Sequence, residues 1–263
     1  MRHAVAPDQL PLALEDAPAV GRVPAPVTPR LAAPPVASPG PGVVMPVAAM
    51  LAGDGPAPFD DEGWFFEPWW PGRPATLVVE GGRLRIAMHQ LADPTAAFPE
   101  LRGLPDQLTV DAAVLAGTLL VLDRDGRPDA ALLRGRLGGV PGRGGTFEGT
   151  GAFVASDLLA ASGVSLAAWP FAQRRARLID VLMDGDRALV ARGVRGEGHT
   201  LATAAASMGL DAIAARRLSA RWQAGVAPEA FLRLPVLAPL AADPRPLLVL
   251  LQRLPLHDEQ PGG

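Results

Sequence analysis

The chain has 263 residues, a formal net charge of −3, 49% hydrophobic residues and no Cys. That length suits one large domain or two modest ones, and the charge provides no general field for nucleic acid. Without Cys, disulfides, thiolate metal sites and Cys nucleophiles are excluded. All 24 basic residues are Arg, so Lys is absent as well.

Residues 1–44 are rich in Pro and lack periodicity, which predicts a flexible, partly extended leader. Pro7, Pro11 and Pro18 interrupt any apolar run, so no targeting segment is read there. No stretch approaches the roughly 18 apolar residues of a membrane span, and a cytoplasmic protein is expected. The densest aromatic run follows at residues 64–70, where Trp69 and Trp70 are expected to fill a core or a cleft. Two β-prone runs, 75–80 and 83–88, flank Gly81-Gly82 and predict a tight hairpin. Residues 108–123 become apolar and β-prone toward their end, and Asp123-Arg124-Asp125-Gly126 signals a turn. Asp129 near the start and Gly138-Gly139 past the end predict a helix over 128–137. The Gly-rich residues 140–150 lack the Lys-Ser/Thr ending of a phosphate loop and read as a surface loop. Arg174, Arg175 and Arg177 are expected on a solvated helix face, and residues 201–210 read as a further helix. The four His (His3, His89, His199, His257) show no metal-ligand spacing. Ser156-Asp157 has no Gly-x-Ser-x-Gly elbow to support a triad.

Residues 64–74, Trp-Phe-Phe-Glu-Pro-Trp-Trp-Pro-Gly-Arg-Pro, resemble the nucleotide-attachment motif of ATP-dependent DNA ligases, the bacterial end-joining type in particular. That motif reads Phe-Glu-x-Lys-x-Asp-Gly-x-Arg. Phe66, Glu67 and Gly72 match, whereas Trp69, Pro71 and Pro74 stand at the Lys, Asp and Arg. Phe98-Pro99-Glu100-Leu101 matches the end of a helical segment of the family. Residues 115–123 are similar to its Leu-Asp-Gly-Glu-Leu-Val-x-Leu-Asp, with Ala116 and Thr118 at the two acidic positions. Residues 151–159 resemble a family strand, with Ser156 where a Phe packs on adenine, and residues 171–178 resemble a family helix. Further on, residues 210–218 match Leu-Glu-Gly-x-x-x-Lys-Arg-Leu with Asp211 for Glu and Arg216 for Lys. Arg233 and Pro235 stand at the two Lys of Trp-Leu-Lys-x-Lys.

This resemblance implies an α+β nucleotidyltransferase fold, antiparallel sheets with packed helices, over residues 45–235. It would follow the leader at 1–44 and precede a short tail at 236–263 without the oligonucleotide-binding barrel of true ligases, since a domain needs roughly 50 residues. It also implies a place in DNA repair and recombination, with ATP and Mg²⁺ as cofactors. In the family a Lys amine attacks the α-phosphate of ATP to form a lysyl-adenylate. Arg cannot replace that amine, because its guanidinium stays protonated. A pseudoenzyme unable to self-adenylate is therefore expected. Glu67, Gly72, Asp211, Arg216 and Arg233 would be the contacts of a weak residual ATP site, with the Mg²⁺ ligands largely lost. The alternative is a nonenzymatic module for DNA ends or a repair partner, motivated by the clusters Arg174-Arg175-Arg177 and Arg216-Arg217-Arg221. A catalyst of another kind in the same cleft has no constellation to support it, and a decaying product with no selected role is the third option. Nothing in the sequence sets an oligomeric state.

Overall fold

The computed structural model describes residues 49–89, 91–139, 147–237, 246–252 and 254–256. In chain order the elements are β1 (Met50–Leu51), β2 (Gly53–Asp54), β3 (Asp60–Pro68), β4 (Arg73–Glu80) and β5 (Arg83–Ala87), then 3₁₀ turns at Thr95–Ala97 and Pro99–Gln107. They continue as β6 (Ala112–Leu122), α1 (Ala130–Leu137), β7 (Thr150–Ala161), β8 (Val164–Ser165), α2 (Phe171–Val181), β9 (Ala188–Val190), β10 (Val194–Glu197) and α3 (Gly198–Ser207). Last come β11 (Ala212–Arg217), β12 (Gly225–Val226), β13 (Phe231–Pro235) and α4 (Leu247–Gln252). The main strands form two sheets, ordered β10-β3-β11-β13-β2 and β5-β4-β6-β7-β8, with β9 parallel to β7. The long neighbours pair antiparallel, so the expected α+β class of antiparallel sheets with packed helices is what forms.

Local chemistry explains the elements that the sequence marks most clearly. Gly81 (φ 54°) and Gly82 (φ 72°) supply the two left-handed residues of a tight hairpin between β4 and β5. Asp123 Oδ1 accepts from the N–H of Asp125 and of Arg127, which closes the turn after β6. Asp129 caps α1 by accepting from the N–H of Ala131 and Leu132. Phe98 caps the 3₁₀ stretch Pro99–Gln107, and Phe98, Leu101 and Leu104 are fully buried.

Two apolar layers hold the sheets. One face of the six-stranded sheet presents Leu77, Leu115 and Phe153 to Leu101 and Leu104 of the 3₁₀ stretch and to Leu178 and Val181 of α2. The second layer joins Trp64, Phe66, Ile213 and Ala215 of the five-stranded sheet to Leu120 and Val154 of the other, with Leu201 and Ala205 of α3. Leu250, Leu251 and Leu254 are buried in that same layer, so the chain beyond residue 235, read from sequence only as a tail, returns to the core through α4. The expected leader and most of the Gly-rich loop lie outside the described residues.

The Arg cluster of α2 corrects an expectation. Arg174 and Arg175 are buried, at 1% and 3% exposure, and only Arg177 faces water. Arg174 donates from Nε and Nη2 to Asp157, at 2.8 and 2.7 Å, and from Nη1 to the Ala220 carbonyl at 3.0 Å. Arg175 lies 4.0 Å over the Phe65 ring and donates to the carbonyls of Ala191 and Leu256. Their positions on α2 face the sheet, so a run that looks like a solvated charge stripe is an internal clamp between α2, β7 and the C-terminal segment.

Asp157→Ala should cost about 3–5 kcal/mol in urea-denaturation stability, because it leaves the Arg174 charge buried without its partner. A second expectation concerns acid. Hydrogen bonds from the His199 backbone and side chain hold the Asp60 carboxyl below its ordinary value of 3.8. The stability this adds is complete above the unfolded value and is lost as pH falls through the lower folded one. Asp60→Asn should therefore flatten the acid limb of a stability–pH profile below about pH 4, lowering stability slightly at neutral pH and leaving the most acid end little changed.

Candidate functional site

A cavity of about 240 Å³ lies between the two sheets. Strand alternation builds both walls. Pro74 and Thr76 of β4, Ala116 and Thr118 of β6, and Val154 and Ser156 of β7 form one side. On the other, β3 supplies Glu67, β11 supplies Ala214 and Arg216, and β13 supplies Phe231. Ala214 is registered against Glu67, and Arg216 against Phe231, so these four share a patch of the sheet. Met50, Trp69, Trp70 and Trp222 also line it.

Among the residues lining the cavity, the only ionisable groups are Glu67 and Arg216, and they bind each other. Arg216 Nε donates to Glu67 Oε1 at 2.7 Å and Nη2 donates to Ser156 Oγ at 3.0 Å. The guanidinium stands 3.8 Å over the Phe231 ring, a contact worth up to about 2 kcal/mol when dry. Glu67 is 4% exposed and Arg216 9%. Three polar atoms of the lining are buried with no hydrogen-bond partner: Glu67 Oε2, Trp70 Nε1 and Trp222 Nε1.

The structure brings some of the sequence-derived candidates together and leaves others apart. Glu67, Gly72 and Arg216 meet in the cavity. Asp211 and Arg233 do not line it; they form an exposed pair at 3.0 Å, with the Arg233 guanidinium 5.6 Å from the Trp69 ring. Gly72 has a packing reason to be Gly, since a Cβ there would sit 2.4 Å from the Leu119 carbonyl oxygen. Gly117, between Ala116 and Thr118, would meet Val154 O at 2.1 Å in the same way. Trp69 is half-buried in the cavity wall and tilts against Phe231 with ring centroids 6.2 Å apart. Ser156 and Asp157 are engaged separately, by Arg216 and by Arg174. Sequence reasoning missed Trp222 and Phe231. Phe231 precedes Arg233 by one strand period and was within reach of register arguments. Trp222 has no local signal; its backbone N–H bonds the Ala167 carbonyl, a tertiary contact that places the ring.

No family model matches the chain. The multifunctional non-homologous end joining DNA repair protein LigD of Mycobacterium tuberculosis is 29% identical over 162 residues, covering 62% of this chain and 20% of LigD. The solved ligase domain of M. tuberculosis LigD superposes with a TM-score of 0.59 at 26% identity, over 71% of this chain and 58% of that one. Mycobacterial DNA ligase D complexed with ATP and MES gives a TM-score of 0.60 at 26% identity, over 72% of this chain and 60% of that one. The chain is homologous to the ligase domain of LigD. Its fold is that of ATP-dependent DNA ligase adenylation domains, as the order of motifs implied. It spans about a fifth of the length of the curated LigD proteins.

Trp69, which the sequence resemblance sets at the nucleophile's position, lines the cavity, and Arg216, the one cation in the lining, is bound to Glu67. Ala116 and Thr118 bring no carboxylate to the cavity. Among the described residues no three His, Cys, Asp or Glu side chains converge as a metal site would require. No helix among them is long and apolar enough to cross a membrane.

Glu67→Ala should destabilise the fold by about 3–5 kcal/mol by stranding the Arg216 charge. The double variant Glu67→Leu/Arg216→Met should lose far less than the sum of the single changes, because neither charge is then buried alone. Urea titration of the four proteins measures the coupling.

Proposed function

We propose that this LigD-type ligase domain has given up adenylyl transfer and acts by binding. One observation carries the reading: Trp69 occupies the position of the attacking Lys, in a chain of 263 residues that contains no Lys. A phosphoramidate needs an amine that can lose a proton. Arg216, the one cation in the cavity wall, is a guanidinium rather than an amine and is spoken for by Glu67. The five candidate contacts for ATP support at most a weak site. Asp211 and Arg233 neutralise one another outside the cavity, and Gly72 is explained by close packing. For the domains, residues 45–235 read as the adenylation-type unit and residues 1–44 as a leader, and the segment after 235 carries α4.

The nonenzymatic alternative, a module for DNA ends or a repair partner, is a binding role of this kind. Its Arg clusters are thinner than they look in sequence. Arg174, Arg175 and Arg216 are internal, which leaves Arg177, Arg217 and Arg221 at the surface. Arg217 is further tied to the Glu229 carbonyl at 2.8 Å and to the Trp64 ring.

Incubating the chain with α-labelled ATP and Mg²⁺, denaturing it and counting retained label tests the reading. No label is expected; label that survives denaturation overturns it. Trp69→Lys should also stay unlabelled, since the acidic positions at Ala116 and Thr118 are missing too.

A further inference from the structure

We propose that the cavity between the sheets is a binding site for a small, uncharged, planar molecule carrying both an N–H donor and an acceptor, of the aromatic carboxamide or lactam class. The inference rests on the reading above, that no nucleotide is held covalently here.

Size and lining come first. At about 240 Å³ the cavity lies just below the usual range of roughly 300–1,000 Å³ for small-molecule sites, enough for one or two rings. Trp69, Trp222 and Phe231 give it aromatic surfaces, and Met50, Ala116 and Val154 add aliphatic ones. Flat apolar molecules gain most from such walls.

The unpaired atoms set the polarity. Native proteins pair nearly all of their buried polar groups, and an unpaired one costs about 1–3 kcal/mol. Here Glu67 Oε2 is an acceptor with no donor, although Glu67 is 4% exposed and lines the cavity. Trp222 Nε1 and Trp70 Nε1 are donors with no acceptor on residues of the same lining. A ligand that satisfies this set offers an N–H to the carboxylate and a carbonyl to an indole.

Charge excludes the obvious competitors. The cavity is neutral because Glu67 and Arg216 cancel, so it has no spare cation for a phosphate or carboxylate. A cationic ligand fares no better. The cation that the aromatic wall attracts is already present as Arg216, 3.8 Å over Phe231, and a second positive charge beside it is repelled.

Benzamide is the probe, titrated against the full chain by calorimetry and ligand-observed NMR, with benzoate, benzamidine and AMP in parallel. Saturable benzamide binding is expected, with benzoate and benzamidine at least tenfold weaker and AMP unable to displace it. Trp222→Phe keeps a ring in place and removes the Nε1–H. It should weaken benzamide roughly fivefold, the loss of about one hydrogen bond, while circular dichroism and the thermal midpoint show the fold intact. Equal binding of the charged analogues, displacement by AMP, or indifference to Trp222→Phe would overturn the proposal. Absence of benzamide binding would do so too, leaving water as the partner of these atoms. If that happens while the chain still takes up no adenylate, this inference fails alone and the preceding reading stands.

Discussion

The ion pair between Arg216 and Glu67, 2.7 Å across two adjacent strands, sets the character of the cleft. Both side chains are nine-tenths buried, so neither charge is tolerable without the other. Their mutual engagement, with Ser156 taking a further N–H and Phe231 stacking on the guanidinium, converts a potential anion site into a neutral one. Trp69 borders the same space, whose only ionisable lining residues are Glu67 and Arg216. An adenylation-type fold is retained around a cavity whose chemistry is apolar and hydrogen-bonding.

What the motif outline preserves is largely architectural. Gly72 lets the β3–β4 connection lie against the Leu119 carbonyl, and Gly117 lets β6 pass within contact of β7. Phe66 is a fully buried member of the inter-sheet core. Two of the matches, Phe66 and Gly72, thus serve the packing of the fold, while the matching Glu67 lines the cavity.

The parts of this architecture written in local sequence were legible. Gly81-Gly82 between β-prone runs, Asp123 in its turn and Asp129 ahead of α1 each act through neighbours within a few residues, and each forms as read. Tertiary partners were not legible. Arg174 and Arg175 look like solvated charges until Asp157, Phe65 and the Leu256 carbonyl are placed around them. The same holds for α4, whose Leu250 and Leu251 are buried only because α3 and the two sheets present an apolar seat. Within the cleft, Glu67, Gly72 and Arg216 were found by motif, but Trp222 enters from a segment with no pattern of its own, and Asp211 and Arg233 satisfy each other at the surface instead.

The most direct measurement is sealing of a nicked duplex by the purified chain in the presence of ATP and Mg²⁺, with a LigD ligase domain as the positive control. The account predicts no joined strand at any enzyme concentration at which the control runs to completion. A ligated product dependent on this chain would contradict it.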